Sequence, residues 1–228
     1  MSRVTLSASA ALVLLLAACG GSSSGDGPSL EDQIDNEIAD NDGTLTGEVI
    51  TTPDGTRYVV DAIDPSISGE SSGYAIVGRL DGSNNIIGIE AATIAGDPYR
   101  AVTATGNFTY SGDAVALLSK DGGNYRRLTG TSELALDFDN QTGRIESMTT
   151  DGVATAELEG AVTFNRTSGA IEGNSVTLEY ADDTGTRNGV AGVFGSVNGA
   201  NEGFSALYEA LGNNGIEGVG VMAGDRDP

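Results

Sequence analysis

The stretch Leu128–Thr150, LTGTSELALDFDNQTGRIESMTT, decides how the rest of the chain is read. Leu134, Leu136 and Phe138 recur at every second position with polar residues between them, and Asp139-Asn140 marks a reversal before Ile145 and Met148 resume the apolar set. A period of two places one set of side chains on one face of a β-strand and the intervening set on the other, so the stretch predicts a hairpin with one buried face.

The same text runs outward in both directions. Upstream, AVTATGNFTYSG (Ala101–Gly112) spaces Val102, Ala104, Phe108 and Tyr110 evenly. Downstream, TAELEGAVTFNRTSGAIEGNSVTLEY (Thr155–Tyr180) carries Leu158, Val162 and Phe164, a Ser168-Gly169 turn, then Val176, Leu178 and Tyr180. GTRNGVAGVFG (Gly185–Gly195) and GIEGVGVMAG (Gly215–Gly224) add two more strand candidates. Strands at intervals of about 8 to 14 residues, joined by Gly, Asn and Asp turns and with almost no helical periodicity, predict an all-β, antiparallel fold closed as a barrel or folded as a sandwich.

Nearer the N-terminus, TGEVITTPDGTRYVVDAI (Thr46–Ile63) brackets Pro53-Asp54-Gly55, where proline presets φ and glycine accepts a positive one. YAIVGRLDGSNNIIGIEAATI (Tyr74–Ile94) repeats the format around Asp81-Gly82 and Asn84-Asn85. Residues 44–100 therefore read as two hairpins, either a separate small domain or part of the sheet formed by residues 101–228. The glycine-rich segment GVAGVFGSVNGANEGFSAL (Gly189–Leu207) looks at first like a phosphate-binding loop, but no buried strand leads through it into a clear helix N-terminus. Its glycines are better read as strand and turn residues. FSALYEAL (Phe204–Leu211) fits helical and strand spacing equally well.

At the start of the chain, Arg3, an apolar run from Ala8 to Leu16 and Leu16-Ala17-Ala18-Cys19 resemble a bacterial lipoprotein signal with its lipobox. The apolar run is short of the roughly 20 residues that span a bilayer. The resemblance implies that residues 1–18 are removed and that Cys19, the only cysteine, becomes the acylated anchor; several acyl chains on one residue give stable membrane attachment. Residues 19–43 read as a disordered tether, Gly/Ser-rich from Gly20 to Pro28. SLEDQIDNEIAD (Ser29–Asp40) then places Leu30, Ile34 and Ile38 on one stripe and reads as a short helix or as a spacer. Gly20, rather than an acidic residue after the anchor, favours the outer membrane as the destination.

Three segments resemble the β-barrel domain of transferrin-binding protein B and its relatives among surface lipoproteins. GNFTYSGDAV (Gly106–Val115) is similar to the family's opening barrel strand. YRRLTGTSELALDFDNQTGRIESM (Tyr125–Met148) is similar to its strand-turn-strand. GVFGSVNGANEGFSA (Gly192–Ala206) with GVGVMAGDR (Gly218–Arg226) is similar to its late Gly/Phe signature and basic ending, although a Tyr and a Pro of that signature are missing after Phe194. The resemblance spans roughly residues 101–226. It implies a barrel of about eight strands and a monomeric, non-enzymatic binding protein with no cofactor. Its partner would be a protein or small ligand, iron or haem acquisition being one use of the family. The alternative reading is a structural envelope lipoprotein with no soluble ligand.

Composition narrows the chemistry. With 33 acidic residues against 11 basic ones, the formal charge is −22, which repels nucleic acid and anionic headgroups; membrane contact is left to the lipid anchor. The absence of histidine removes Ser-His-Asp and Cys-His catalysis, the usual zinc triad and His-ligated haem. Lys120, the only lysine, lies in LLSKDGGNYRRL, which reads as a solvated loop. Asp137, Asp139 and the pair Asp182-Asp183 read as turn residues bonding their own backbone; an EF-hand counted from Asp137 would put Thr142 and Met148 where Gly and Glu are required. Tyr110, Tyr125, Tyr180 and Tyr208 could ligate iron at a barrel mouth, but alternating strand residues with a packed ring and a wet hydroxyl account for them more simply. Against so acidic a background, Tyr125-Arg126-Arg127 is the most distinctive exposed candidate for an anionic ligand or an acidic protein partner.

Overall fold

A computed structural model describes residues 30, 33–34, 36, 45–63, 74–93, 101–197, 201–211 and 213–228. Residues 1–28, which include Cys19 and the stretches read as a signal and a Gly/Ser tether, lie outside the described residues. Four strands, β1 (Leu45–Thr51), β2 (Arg57–Ile63), β3 (Tyr74–Leu80) and β4 (Ile86–Thr93), form an antiparallel sheet in chain order. Eight more close into a barrel: β5 (Asn107–Lys120), β6 (Arg126–Asp137), β7 (Thr142–Thr150), β8 (Thr155–Asn165), β9 (Ala170–Asp182), β10 (Gly185–Val197), β11 (Gly203–Leu211) and β12 (Ile216–Arg226). Each barrel strand pairs antiparallel with its sequence neighbours, and the ring closes where β12 meets β5, from Ile216 opposite Lys120 to Arg226 opposite Tyr110. The hairpins before residue 101 are thus a sheet of their own, not barrel staves.

The turns form for the reasons read from the sequence. Asp81 Oδ1 accepts from the backbone N–H groups of Ser83 and Asn85, Asp54 from that of Thr56, and Asp137 from those of Asp139 and Asn140. FSALYEAL is strand β11, with Phe204, Ala206 and Tyr208 buried in the barrel. Gly195, in the glycine-rich segment, lies in β10, where a Cβ would come within 2.6 Å of Ala206 Cβ and Ser205 O across the sheet. Close strand approach, not a bound phosphate, requires that glycine.

Burial on β7, β8 and β9 alternates as expected for a barrel with one wet face. Met148 departs from the expected apolar set: it is 55% exposed, and Ser147 takes the inward position. On β5 the alternation vanishes, with Ala114 to Ser119 buried without a break. The reason is a second buried surface. Ala114, Ala116 and Leu118 face the barrel interior, whereas Val115 and Leu117 join Leu207, Val219, Val221 and Ala223 on the outside against Val59, Tyr74, Ile76 and Ile86 of the hairpin sheet. Each large side chain so buried contributes about 1.5–3 kcal/mol.

The other face of the hairpin sheet has its own core of Ile50, Val60, Ala62, Ala75 and Val77. Leu30, Gln33, Ile34 and Asn36 are helical, and Ile34 packs into this core at 4% exposure. The described positions of SLEDQIDNEIAD are therefore helical, with Ile34 seated on the sheet.

Candidate functional site

Strand alternation separates the two arginines that read as one basic patch. Arg126 and Arg127 open β6 instead of lying in a loop, so their side chains leave opposite faces of the sheet. Arg127 stands opposite Leu117, which faces outward; Arg126 stands opposite Leu118, which faces the interior.

Arg127 is held by the hairpin sheet. Its Nε lies 2.9 Å and 3.1 Å from the two Asp61 carboxylate oxygens, and its Nη2 is 2.6 Å from Oδ1. Asp61 is fully buried, and its Oδ1 also accepts from the Gly47 N–H at 2.7 Å. Gly47 occupies a β-bulge between Thr46 and Glu48 at φ 70°, and a Cβ there would sit 3.2 Å from the guanidinium. Bulge, carboxylate and guanidinium form one lock in which the buried charge is paired and hydrogen-bonded, as a buried carboxylate requires. Tyr125 belongs to the same seam: it bridges to Ile86 and packs half-buried against the apolar cluster between sheet and barrel.

Arg126 points to the barrel mouth bounded by the β5–β6, β7–β8, β9–β10 and β11–β12 turns. Three ion pairs ring that mouth. Arg126 Nη2 lies 2.5 Å from Asp151 Oδ2. Lys120 Nζ is paired with Asp182 and donates to Gly185 O at 2.6 Å. Arg187 Nη2 lies 2.8 Å from Asp121 Oδ2. Lys120, expected in a solvated loop, ends β5 with a side chain only 6% exposed. The two-residue step from Ala114 through Ala116 and Leu118 carries it inward, a signal that was available in the sequence. Arg187 and Asp151 carried no such signal, because their partners are 66 and 25 residues away.

The electrostatics follow from these contacts. Hydrogen bonds from Lys120 and Thr184 bring the Asp182 carboxyl down to about 2. Burial acts to raise Asp151, but the N–H groups of Ala154 and Val153 and the Arg126 guanidinium outweigh it and hold it below the usual range. Beneath the ring sits Tyr180, whose hydroxyl is pushed up by burial, Arg126 opposing and Asp182 and Asp151 adding.

No protein-family model and no curated protein matches this chain.

The opposite mouth is closed by rings. Phe138 meets Phe108 and Phe164 edge-on at 5.5 Å and 4.8 Å, and Tyr110 meets Phe204 at 6.0 Å. Arg226 lies over Phe108, 5.4 Å from its centroid. The Tyr110 hydroxyl donates to Asn201, and burial pushes its ionisation up, as it does for Tyr208. Tyr110, Tyr180 and Tyr208 are thus packed rings as expected, but their hydroxyls are dry rather than wet. Asp137 and Asp139 serve the turn and the Gly106 N–H at this aromatic end, while Asp182 serves the ionic end, so the strand-end acids do not converge.

On the outer wall, Glu133, Glu146 and Glu159 stand directly opposite one another on β6, β7 and β8. Arg144 pairs with Glu146 and Glu159. Together with Met148 and Glu157 the three glutamates border an open hollow of about 390 Å³. Among the described residues, no three His, Cys, Asp or Glu side chains are grouped to hold a metal ion.

Proposed function

We propose that the chain is a non-enzymatic surface lipoprotein of the outer membrane whose transferrin-binding-protein-like barrel binds a protein or small ligand through its turns and outer wall. The observation that supports this most directly is the filling of the barrel: apolar side chains from all eight strands occupy its interior, one mouth is packed with aromatic rings and the other is spanned by ion pairs. A ligand has no route to the centre without displacing that core, so recognition belongs to the exterior. The ionic mouth is the favoured contact. It gathers Arg126 and Arg187 at the rim of a chain of charge −22, and each pairs with a carboxylate that an anionic partner group could replace, while the buried Lys120–Asp182 pair holds the rim together. The buried tyrosines do not support iron or haem as the cargo, because ferric ligation needs an accessible phenolate and burial holds Tyr110 and Tyr208 protonated.

Capture from surface extracts on immobilised protein tests the reading. Wild type is expected to retain a partner that the Arg126→Gln/Arg187→Gln double variant loses, whereas retention by both, or by neither alongside an empty metal and haem screen, counts against it. Palmitate labelling of wild type against Cys19→Ser tests the anchor separately. The packed interior also suits the second reading, an envelope lipoprotein with no soluble ligand. Deletion that weakens the envelope while leaving nutrient uptake intact favours that alternative.

A further inference from the structure

The order of layers through the molecule has a consequence for how it stands on a membrane. Ile34 is packed among Ile50, Val60, Ala62, Ala75 and Val77, with Leu30 and Tyr58 at the margin. On β2, Val60 and Ala62 face this helix, while Val59 and Asp61 face the barrel. Helix, hairpin sheet and the β5–β12 wall are therefore stacked in that order, and β8 and β9 lie across the barrel from that wall. With about 10 Å between packed layers, the far wall stands roughly 30 Å from the helix.

We infer that the helix is a strap that orients the molecule, holding the hairpin sheet toward the membrane and turning the outer face of β8 and β9 away from it. The inference rests on the reading of Cys19 as the anchor. Counted to Leu30, eleven residues separate anchor from packed chain and, as a flexible coil, span about 18 Å on average, well short of the far wall. If the chain were attached only from β1 at Leu45, the link would be 26 residues and span about 28 Å on average, comparable to the depth of the molecule, so that any face could turn to the bilayer. Seating Ile34 shortens the link and biases the attachment to one pole. A partner arriving from the medium then meets β8, β9 and the turns beside them, with the hairpin sheet shielded beneath.

The chain has one cysteine and no tryptophan, which makes the test direct. The processed chain, Cys19–Pro228, is coupled through the Cys19 thiol to vesicles containing a maleimide lipid and a dansyl lipid. A single tryptophan is placed either beside the helix, Tyr58→Trp, or on the outer face of β9, Thr177→Trp. Energy transfer to the dansyl lipid is expected to be on the order of ten-fold greater from position 58 than from 177, given about 30 Å of difference in depth. Ile34→Asp is expected to close the gap. So is a Gly/Ser insertion of about 15 residues between Pro28 and Ser29, which lengthens the link and leaves the helix and sheet untouched. Equal transfer from both positions in the uninserted protein, or a gap that survives the insertion, overturns the strap. Chemical coupling makes the result independent of acylation in the cell: absent palmitate labelling with the gap intact overturns the lipoprotein reading and not the orientation, and equal transfer with labelling intact does the reverse.

Discussion

The two mouths of the barrel are closed by opposite chemistries. At one, Phe108, Phe138 and Phe164 interlock with Tyr110 and Phe204 nearby; at the other, Lys120–Asp182, Arg126–Asp151 and Arg187–Asp121 ring the space above Tyr180. Rings packed edge to face lose their contacts as soon as one is removed, and their attraction is indifferent to salt. The more exposed pairs Arg126–Asp151 and Arg187–Asp121 are screened, exchange partners readily and add little to stability, whereas Lys120–Asp182 is largely buried and costly to break. The aromatic end is thus built to hold the barrel shut, whereas the two exposed pairs of the ionic end can be rearranged at small cost to the fold, which is what a recognition surface needs.

The largest way to break the contrast is Phe138→Ala. Phe138 is fully buried between two other rings, and its loss should lower unfolding free energy by about 3–5 kcal/mol in urea titrations. A loss no greater than that of a rim variant would end the distinction. Arg127→Met should follow at about 3 kcal/mol, because it leaves the buried Asp61 carboxylate with the Gly47 N–H and no counter-charge. Adding Asp61→Asn should restore part of the stability, and a double variant no better than the single one would contradict a charge-based account.

Titration separates the buried tyrosines from the ionic rim by pH. Tyr110 and Tyr208 are neutral in the folded protein with ionisation raised, so their contribution is complete below about pH 10 and is lost as pH climbs above it. Absorbance at alkaline pH should show tyrosines that ionise only together with unfolding. For Asp182 the sign is reversed. Its carboxyl titrates at about 2 when folded against 3.8 when free, so its stabilisation is present above about pH 4 and fades as pH falls toward 2. Lys120→Met should flatten that acid limb while leaving the alkaline one unchanged, as thermal melts across pH would show.

The smallest effect is expected on the outer wall, where Glu133 faces Glu146 and, among the described residues, has no ion-pair partner of its own, Arg144 being paired with Glu146 and Glu159. Glu133→Thr should raise stability by about 0.2–1 kcal/mol at low ionic strength, with the gain shrinking as salt is added.

Much of this architecture was legible beforehand, since period-two patterns and Asx turns act within a few residues. β6 to β9 alternate as written because only one of their faces is buried. What escaped reading was whatever depended on a distant layer. AVALLS in β5 is an unbroken buried run only because a sheet formed by residues 45–93 covers its outside. Arg126 and Arg127 look like a basic patch until the strand sends them to different faces, and the partner that fixes Arg127 lies 66 residues away. Met148 looks like a core residue by type, yet its parity puts it on the wet side.

The meander topology also sets an order of events. Seven of the eight barrel pairings join strands that are neighbours in the chain, whereas the eighth brings Tyr110 to Arg226 and lets Ser111 donate to Asp227, 116 residues on. Local hairpins form early, and a pairing across so long a loop must wait until its closure entropy is offset by contacts already made. The β5–β12 seam should therefore be the last to zip during folding. It is also the wall that the hairpin sheet covers, so docking of that sheet depends on the slowest step and seals it once complete.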